Sequence, residues 1–322
     1  MQNLCIIEEK LADRKLWLDL CTKDSNATFF HTPLWAECFS ENHVSCTRQL
    51  IFNDGMSVIL PLTYQYATKR LTKVYQSMPA CTFGGWLSID NLTDKHFEVL
   101  INHLGKFTDL TFRENPYDIK LNNINLKHAT DDFTYSVNIE MGYEAFWKHS
   151  DYSHRKAVKK AEKEGITIIT SEDNSMWDSY FDIYQESIDR WKNRKIFSGV
   201  SYGKDFLKRI RSLSEEYRTL WLAQYNSKII AGIICFYWNQ HAVAWHGAGL
   251  EEFFTLRPNN LLYNTAIHDA CQKGFTWFDC NPSGKIDGVI KFKKYLGATE
   301  LRSRVIVKKS LIRKITDFLA MH

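Results

Sequence analysis

The stretch GVIKFKKYLG, residues 288–297, sets Lys291, Lys293 and Lys294 around Phe292 near the end of a 322-residue chain. On a helical wheel Ile286, Val289, Ile290, Phe292 and Leu296 share one apolar arc, and Lys293 falls inside it. Lys291 and Lys294 project from the other side beside Tyr295, where solubility is reason enough for them. Asp287 reads as the N-cap and Gly297 as the C-cap. A lysine on an inward face either lays its methylenes on apolar neighbours with the ammonium in water, or meets a partner in a site.

Two other stretches offer positive charge. SHRKAVKKAEKEG reads as a helix with Ser153 as N-cap and Gly165 as stop. Its lysines Lys156, Lys159, Lys160 and Lys163 form a basic stripe opposite Ala157, Val158 and Ala161. The stripe is either a solvated face or a landing surface for a phosphate-bearing substrate or RNA, with Arg155 and Lys159 as candidate contacts. LRPNNLL starts a helix directly after a strand, so free backbone N–H groups, Arg257, Asn259 and Asn260 are candidate phosphate ligands. The same residues also serve simply as a helix start. G-x-S-x-G, H-E-x-x-H and G-x-G-x-x-G are absent, and no metal ligand set is expected.

These residues need a scaffold, and 37.7 kDa suffices for two domains of ordinary size. The expected boundary is 1–145 and 146–322. A formal net charge of +4 favours anionic ligands without marking a nucleic-acid protein. Eight cysteines without a C-x-x-C pair read as scattered reduced thiols. The longest apolar run, IIAGIICFYW at 229–238, is too short to span a membrane, so a cytoplasmic protein without an integral span is expected.

The second half reads most clearly. Three β-rich runs break at Asn226-Ser227-Lys228 and Asn239-Gln240, an antiparallel meander. A helix over 258–273 follows, then an apolar strand at 275–279, the helix of the opening motif, and a strand over 300–309. Helices starting near 174 and 203 precede the meander. The order predicts an α/β fold of mixed, largely antiparallel sheets covered by helices. RQLIFNDGMSVILPL and FGGWLSIDNLTDKHFEVLINHL echo this order in the first half, which suggests a duplicated unit.

The element order, the helix at 153–165, PNNLLYNTAIHDACQKGFTWFD and GVIKFKKYLG together resemble the FemAB-like branch of the GNAT acyltransferase superfamily. FFHTPLWAECF, ILPL and FGGW in the first half are also similar to its pattern, so the likeness covers most of the chain. It implies two tandem GNAT-like domains and transfer of an acyl or aminoacyl group to an amino group of a cell-envelope precursor or amino sugar. It also implies that Lys293 stabilises negative charge on the reacting carbonyl or a nearby phosphate, an effect of roughly 3 kcal/mol by analogy with oxyanion-hole deletions. Phe292 would pack behind it. Asp279 is either a general base or a structural cap. TLRPNNLL lacks the glycine-rich loop of acetyl-CoA enzymes, which leaves aminoacyl-tRNA or acyl-CoA open as donor and implies no permanently bound cofactor. The rival expectations are an acetyl-CoA-dependent N-acetyltransferase and a non-catalytic binder of RNA or anionic glycan.

Overall fold

The computed structural model of the chain describes all residues except 1–2, 68–71, 123, 125, 127–128, 195–200, 285 and 321–322. Two compact units divide it: Met1–Phe133 with Arg302–His322, and Thr134–Leu301. The division differs from the expected 1–145 and 146–322 because the chain changes unit at 133–134 and changes back at 301–302.

The first unit opens with strand β1 (Ile6–Leu11), helices α1 (Arg14–Lys23) and α2 (Pro33–Cys38), and strands β2 (Val44–Ser45), β3 (Arg48–Phe52) and β4 (Ser57–Leu60). The β3–β4 hairpin turns at Asn53-Asp54-Gly55, where Gly55 takes φ +90°. Strands β5 (Thr63–Ala67) and β6 (Thr72–Gln76), helix α3 (Asp94–Leu104), strand β7 (Leu110–Arg113), the short helix α4 (Ile119–Asn122) and strand β8 (Ala129–Thr130) follow. Leu50, Phe52, Val58 and Leu60 of the hairpin pack with Phe97, Leu100 and Leu104 of α3 in one buried cluster. The apolar spacing of α3 puts those residues on one face.

The second unit contains β9 (Phe133–Asn138), α5 (Gly142–His149), α6 (Tyr152–Lys163), β10 (Thr167–Thr170), α7 (Asn174–Asn193) and α8 (Lys204–Arg211). Then come the meander β11 (Arg218–Tyr225), β12 (Lys228–Trp238) and β13 (His241–Gly249), helix α9 (Pro258–Gln272), β14 (Trp277–Asp279), α10 (Asp287–Tyr295) and β15 (Thr299–Arg302). Two-residue turns close the meander, with Asn226, Ser227 and Asn239 at positive φ. The seven strands run β10-β11-β12-β13-β14-β9-β15, with β13 and β14 parallel and β14 and β9 antiparallel. Ten of the eleven residues of β12 are buried, as a central strand covered on both faces requires.

The strand expected over 300–309 is broken into β15 and β16 (Val305–Lys308), and β16 joins the first unit's sheet in the order β2-β5-β6-β7-β16-β8, before helix α11 (Leu311–Ala320). The break falls at Ser303 and Arg304. Arg304 is 4% exposed and its Nε donates to Glu114 at 2.7 Å, while Glu114 is wholly buried. Burial pushes the Glu114 carboxyl up against the pull of the guanidinium. No helix among the described residues is long and apolar enough to cross a membrane.

Candidate functional site

In the second unit, α9 is seated by Leu261, Leu262, Ala266, Ile267 and Ala270, all buried at the spacing read from the sequence. Pro258 occupies its first turn and Arg257 its N-cap, at φ +65° in the left-handed region. That conformation is uncommon for a residue with a side chain. Pro258 has no N–H and the Asn260 N–H donates to Arg257 O at 3.1 Å, so fewer main-chain donors are free at this helix start than at an ordinary one.

Hydrogen bonds tie the α6 segment to α9 and α10. The Asp151 N–H donates to Tyr295 O at the end of α10 at 2.9 Å, and Asn260 Nδ2 donates to His154 Nδ1 at 3.2 Å. Burial lowers the His154 pKa to about 4, so the ring is neutral near pH 7. Asp151 also caps α6, accepting the Ser153 N–H at 2.6 Å; Ser153, expected as the cap, lies inside the helix.

Between the three helices lies a cavity of about 610 Å³. Lys156 and Lys160 of α6, Arg257, and Lys291 of α10 line it, joined by Asn260. Phe292 and Tyr295 supply apolar wall. None of its described lining residues is a carboxylate. Gly288 opens onto it, and a β-carbon built there meets nothing within 4 Å. Four cations without counter-charge in a concave surface concentrate anions.

Lys293 points inward, as the wheel indicates, and is 4% exposed. It does not line this cavity. Its Nζ donates to Asn281 O at 2.6 Å and Pro282 O at 3.2 Å, and lies 5.5 Å from the Tyr135 ring centre. The arc around it differs from expectation: Ile286 and Val289 are both 37% exposed, whereas Lys293 and Leu296 are the buried positions. The helix starts after Ile286, so Asp287 is its first residue rather than its cap, and Gly297, at φ +81°, follows the C-cap Leu296.

Asp279 is wholly buried, accepting from Thr134 Oγ1 and the Asn281 N–H, each at 2.6 Å. This is the geometry of a turn cap, with no surface from which to reach a substrate. The turn it holds lies where the sheet opens. Parallel pairing of β13 with β14 ends at Val243–Asp279, while β13 runs on to Gly249 with a bulge at Trp245. Asn281 Nδ2 bridges the opening to Trp245 O at 3.0 Å.

His246 follows the bulge. Its Nδ1 lies 2.5 Å from Tyr180 Oη, and the Tyr184 ring packs edge-on at 4.4 Å between centres. Burial lowers its pKa to about 4.

Of the residues expected at a site, the cavity brings together Arg257, Asn260 and Phe292. Asn259 turns to β13, its Oδ1 3.6 Å from where a Gly249 β-carbon would sit. Arg155 Nη1 donates to Trp147 O at 3.3 Å and to Ser150 O, closing the end of α5. Lys159 is exposed outside the cavity. Lys291 and Tyr295, assigned to solvent from the wheel, are wall residues. The signal was there: positions 288, 291, 292 and 295 share a helical face, as do 156 and 160. His246 carried no sequence signal, because the bulge that places it appears only in the strand register. Among the described residues no group of three or more His, Cys, Asp or Glu side chains could hold a metal ion.

A protein-family model described as Acetyltransferase (GNAT) domain matches residues 148–293, from the end of α5 to Lys293. Among solved structures the chain is similar to FemX, with a TM-score of 0.68 at 12% identity over 94% of this chain and 97% of that one. It is also similar to L-PGS from Bacillus licheniformis, with a TM-score of 0.55 at 11% identity over 97% and 96%. A conserved protein of unknown function from Bacteroides thetaiotaomicron gives a TM-score of 0.56 at 13% identity over 96% and 100%. Among curated proteins none matches the sequence significantly. At these identities the likeness is one of fold: mixed, largely antiparallel sheets covered by helices, in two GNAT-like halves.

Proposed function

We propose that this chain, whose fold is that of GNAT-like acyltransferases and whose residues 148–293 match a GNAT domain, transfers an acyl or aminoacyl group to an amine in its second unit. The observation that carries the reading is the cavity of α6, α9 and α10, with Lys156, Lys160, Arg257 and Lys291 around it and no carboxylate in its described wall. It suits the phosphate-bearing part of an activated donor, acyl-CoA or aminoacyl-tRNA. Without a glycine-rich loop, side-chain cations take the role that main-chain N–H groups hold elsewhere. The acceptor we carry forward is the amino group of a cell-envelope precursor or amino sugar, from the resemblance to the FemAB-like branch.

In this reaction the amine nitrogen attacks the carbonyl, the new C–N bond forms, and the bond to sulfur or ester oxygen breaks. The attacking nitrogen sheds a proton and the departing sulfur or oxygen takes one up, leaving as the neutral thiol or alcohol; His246, kept neutral by burial beside the sheet opening, is our candidate to pass the proton between them. Lys293 and Asp279 act as positioning residues in this reading. They hold the turn at 279–282, and Asn281 in that turn spans the opening of β13 and β14.

The test is titration of the full chain with acetyl-CoA and, separately, with aminoacyl-tRNA, each repeated on the Lys156→Ala/Lys160→Ala variant. One donor should bind wild type and weaken by roughly tenfold or more in the variant, since charge-assisted contacts contribute about 1.5–3 kcal/mol each. Unchanged binding of both donors, or binding of neither, defeats the reading.

A further inference from the structure

Helix α7 buries Trp177, Tyr180, Ile183, Tyr184, Ser187 and Ile188, the spacing of one helical face. That face packs on β12 and β13, and Tyr180 and Tyr184, one turn apart on it, meet His246 of β13. The Tyr180 ring is wholly buried. Gly232 of β12 leaves the room it needs, since a β-carbon there would come 2.7 Å from Tyr180 Cδ2. Tyr184 packs edge-on against the imidazole, and its hydroxyl accepts the Tyr202 N–H at 2.9 Å. The Trp245 and Tyr202 rings lie 5.2 and 6.2 Å from that of His246. Rings therefore fix the plane of the imidazole, while its hydrogen bonding to the described residues runs through Nδ1 and Tyr180. His246 is partly exposed, and Nε2 is the nitrogen left to a substrate.

Tyr180 Oη lies 2.5 Å from His246 Nδ1 and 3.3 Å from His246 O. One phenolic proton has to serve both neighbours. If the hydroxyl donates to Nδ1, it makes one hydrogen bond, the proton of the neutral ring sits on Nε2, and no lone pair faces the substrate. If it donates to the carbonyl, its oxygen accepts an Nδ1–H, two hydrogen bonds form, and Nε2 keeps its lone pair. In a buried setting the arrangement with more bonds made is favoured, because an unmade one carries its full desolvation cost. It also survives uptake of a proton at Nε2, since the imidazolium still gives Nδ1–H to the same oxygen. The partner at one ring nitrogen thus decides what the other can do. Burial raises the Tyr180 pKa well above its ordinary value, so the phenol keeps its proton and does not itself enter the transfer.

We propose that Tyr180 is a positioning residue that holds neutral His246 as the Nδ1–H tautomer, so that Nε2 takes the proton of the attacking amine and returns it to the departing sulfur or oxygen. The consequence for turnover rests on the acyl-transfer reading, whereas the tautomer does not. Ring proton–nitrogen NMR correlation spectra of the isotope-labelled full chain near neutral pH test it, the His246 signals being those missing from His246→Gln. Wild type should carry the ring proton on Nδ1. Tyr180→Phe keeps the ring beside Gly232 and removes the oxygen, so the tautomer ratio should move by roughly tenfold or more towards Nε2–H. A proton on Nε2 in wild type, or an unchanged ratio in Tyr180→Phe, overturns the proposal, and the first of these remains decisive if Tyr180→Phe fails to fold. In amide formation on glucosamine with whichever donor binds, Tyr180→Phe should lower kcat roughly tenfold with little change in donor KM, and should cost nothing further in His246→Gln. A further loss of that size in the double variant would give Tyr180 a role of its own and overturn the proposal. Absence of turnover in wild type would count against the acyl-transfer reading instead, and the spectra would still decide the tautomer.

Discussion

A cavity lies in each unit, and the two differ in charge and in how that charge is held. In the second unit the cations stand on exposed side chains at helix faces and at the start of α9, ready to follow an anion. In the first, Asp24, Asp90 and Asp118 line the cavity, and these three carboxylates are fastened to backbone N–H groups beside packed rings. The sheets of both units are mixed and largely antiparallel, so sheet type does not set the charge of a cavity. Loop residues and helix ends do, as in other folds that host many functions. Flexible cations suit a ligand that arrives and leaves with each turnover, whereas clamped carboxylates hold the chain segments that they bond.

A buried cation from each unit sharpens the contrast. Arg304→Met removes the partner of wholly buried Glu114 and should cost about 3–5 kcal/mol in urea unfolding, because an uncompensated carboxylate remains inside. A loss under about 1 kcal/mol would mean that Glu114 takes a proton and tolerates isolation. Lys293→Met removes the ammonium that holds Asn281 O and Pro282 O, and the expected loss is about 1–3 kcal/mol, accompanied by a lower kcat as the 279–282 turn slackens. Full activity with full stability would remove Lys293 from the site altogether.

His246→Gln should lower kcat by roughly 100-fold with little change in donor KM, the signature of a lost general base, and thermal melting checks that Tyr180 packing survives. The smallest effect concerns pH. Asp24 and Asp118 have folded pKa values raised above the ordinary 3.8, mainly by burial, so the folded state binds more protons than the unfolded state between those values. Their contribution to stability therefore grows as pH falls through the raised values and is unfavourable at neutral pH. Asp118→Asn should be slightly more stable than wild type at pH 7, and the difference should close in acid. A variant less stable than wild type at pH 7 would show that the Leu121 N–H needs the charged acceptor.

What the sequence disclosed follows from the range of each signal. The meander was legible because Asn226-Ser227 and Asn239-Gln240 mark both turns, and α9 because its apolar spacing and Pro258 agree. Around Lys293 the wheel placed the ammonium inside but misjudged Ile286 and Val289, since a wheel compares residues of one helix and knows nothing of what covers it. Lys291 and Tyr295 looked solvated for the same reason: their face is turned to a hollow rather than to a packed neighbour. The strand over 300–309 hid the buried Arg304, whose partner Glu114 lies 190 positions away. The first unit's acids, at 24, 90 and 118, share no spacing at all, and only the folded chain assembles them.

The most direct measurement is a phosphorus NMR titration of inorganic pyrophosphate against wild type, Gly288→Leu and Asp118→Asn. A β-carbon at Gly288 meets open space and a helical glycine is worth replacing, so Gly288→Leu should fold at least as stably as wild type while filling the basic cavity. Saturable binding to wild type and Asp118→Asn, weakened by roughly tenfold or more in Gly288→Leu, is the expected result. Equal binding by all three proteins would place the anion elsewhere and leave the cavity of α6, α9 and α10 without its role.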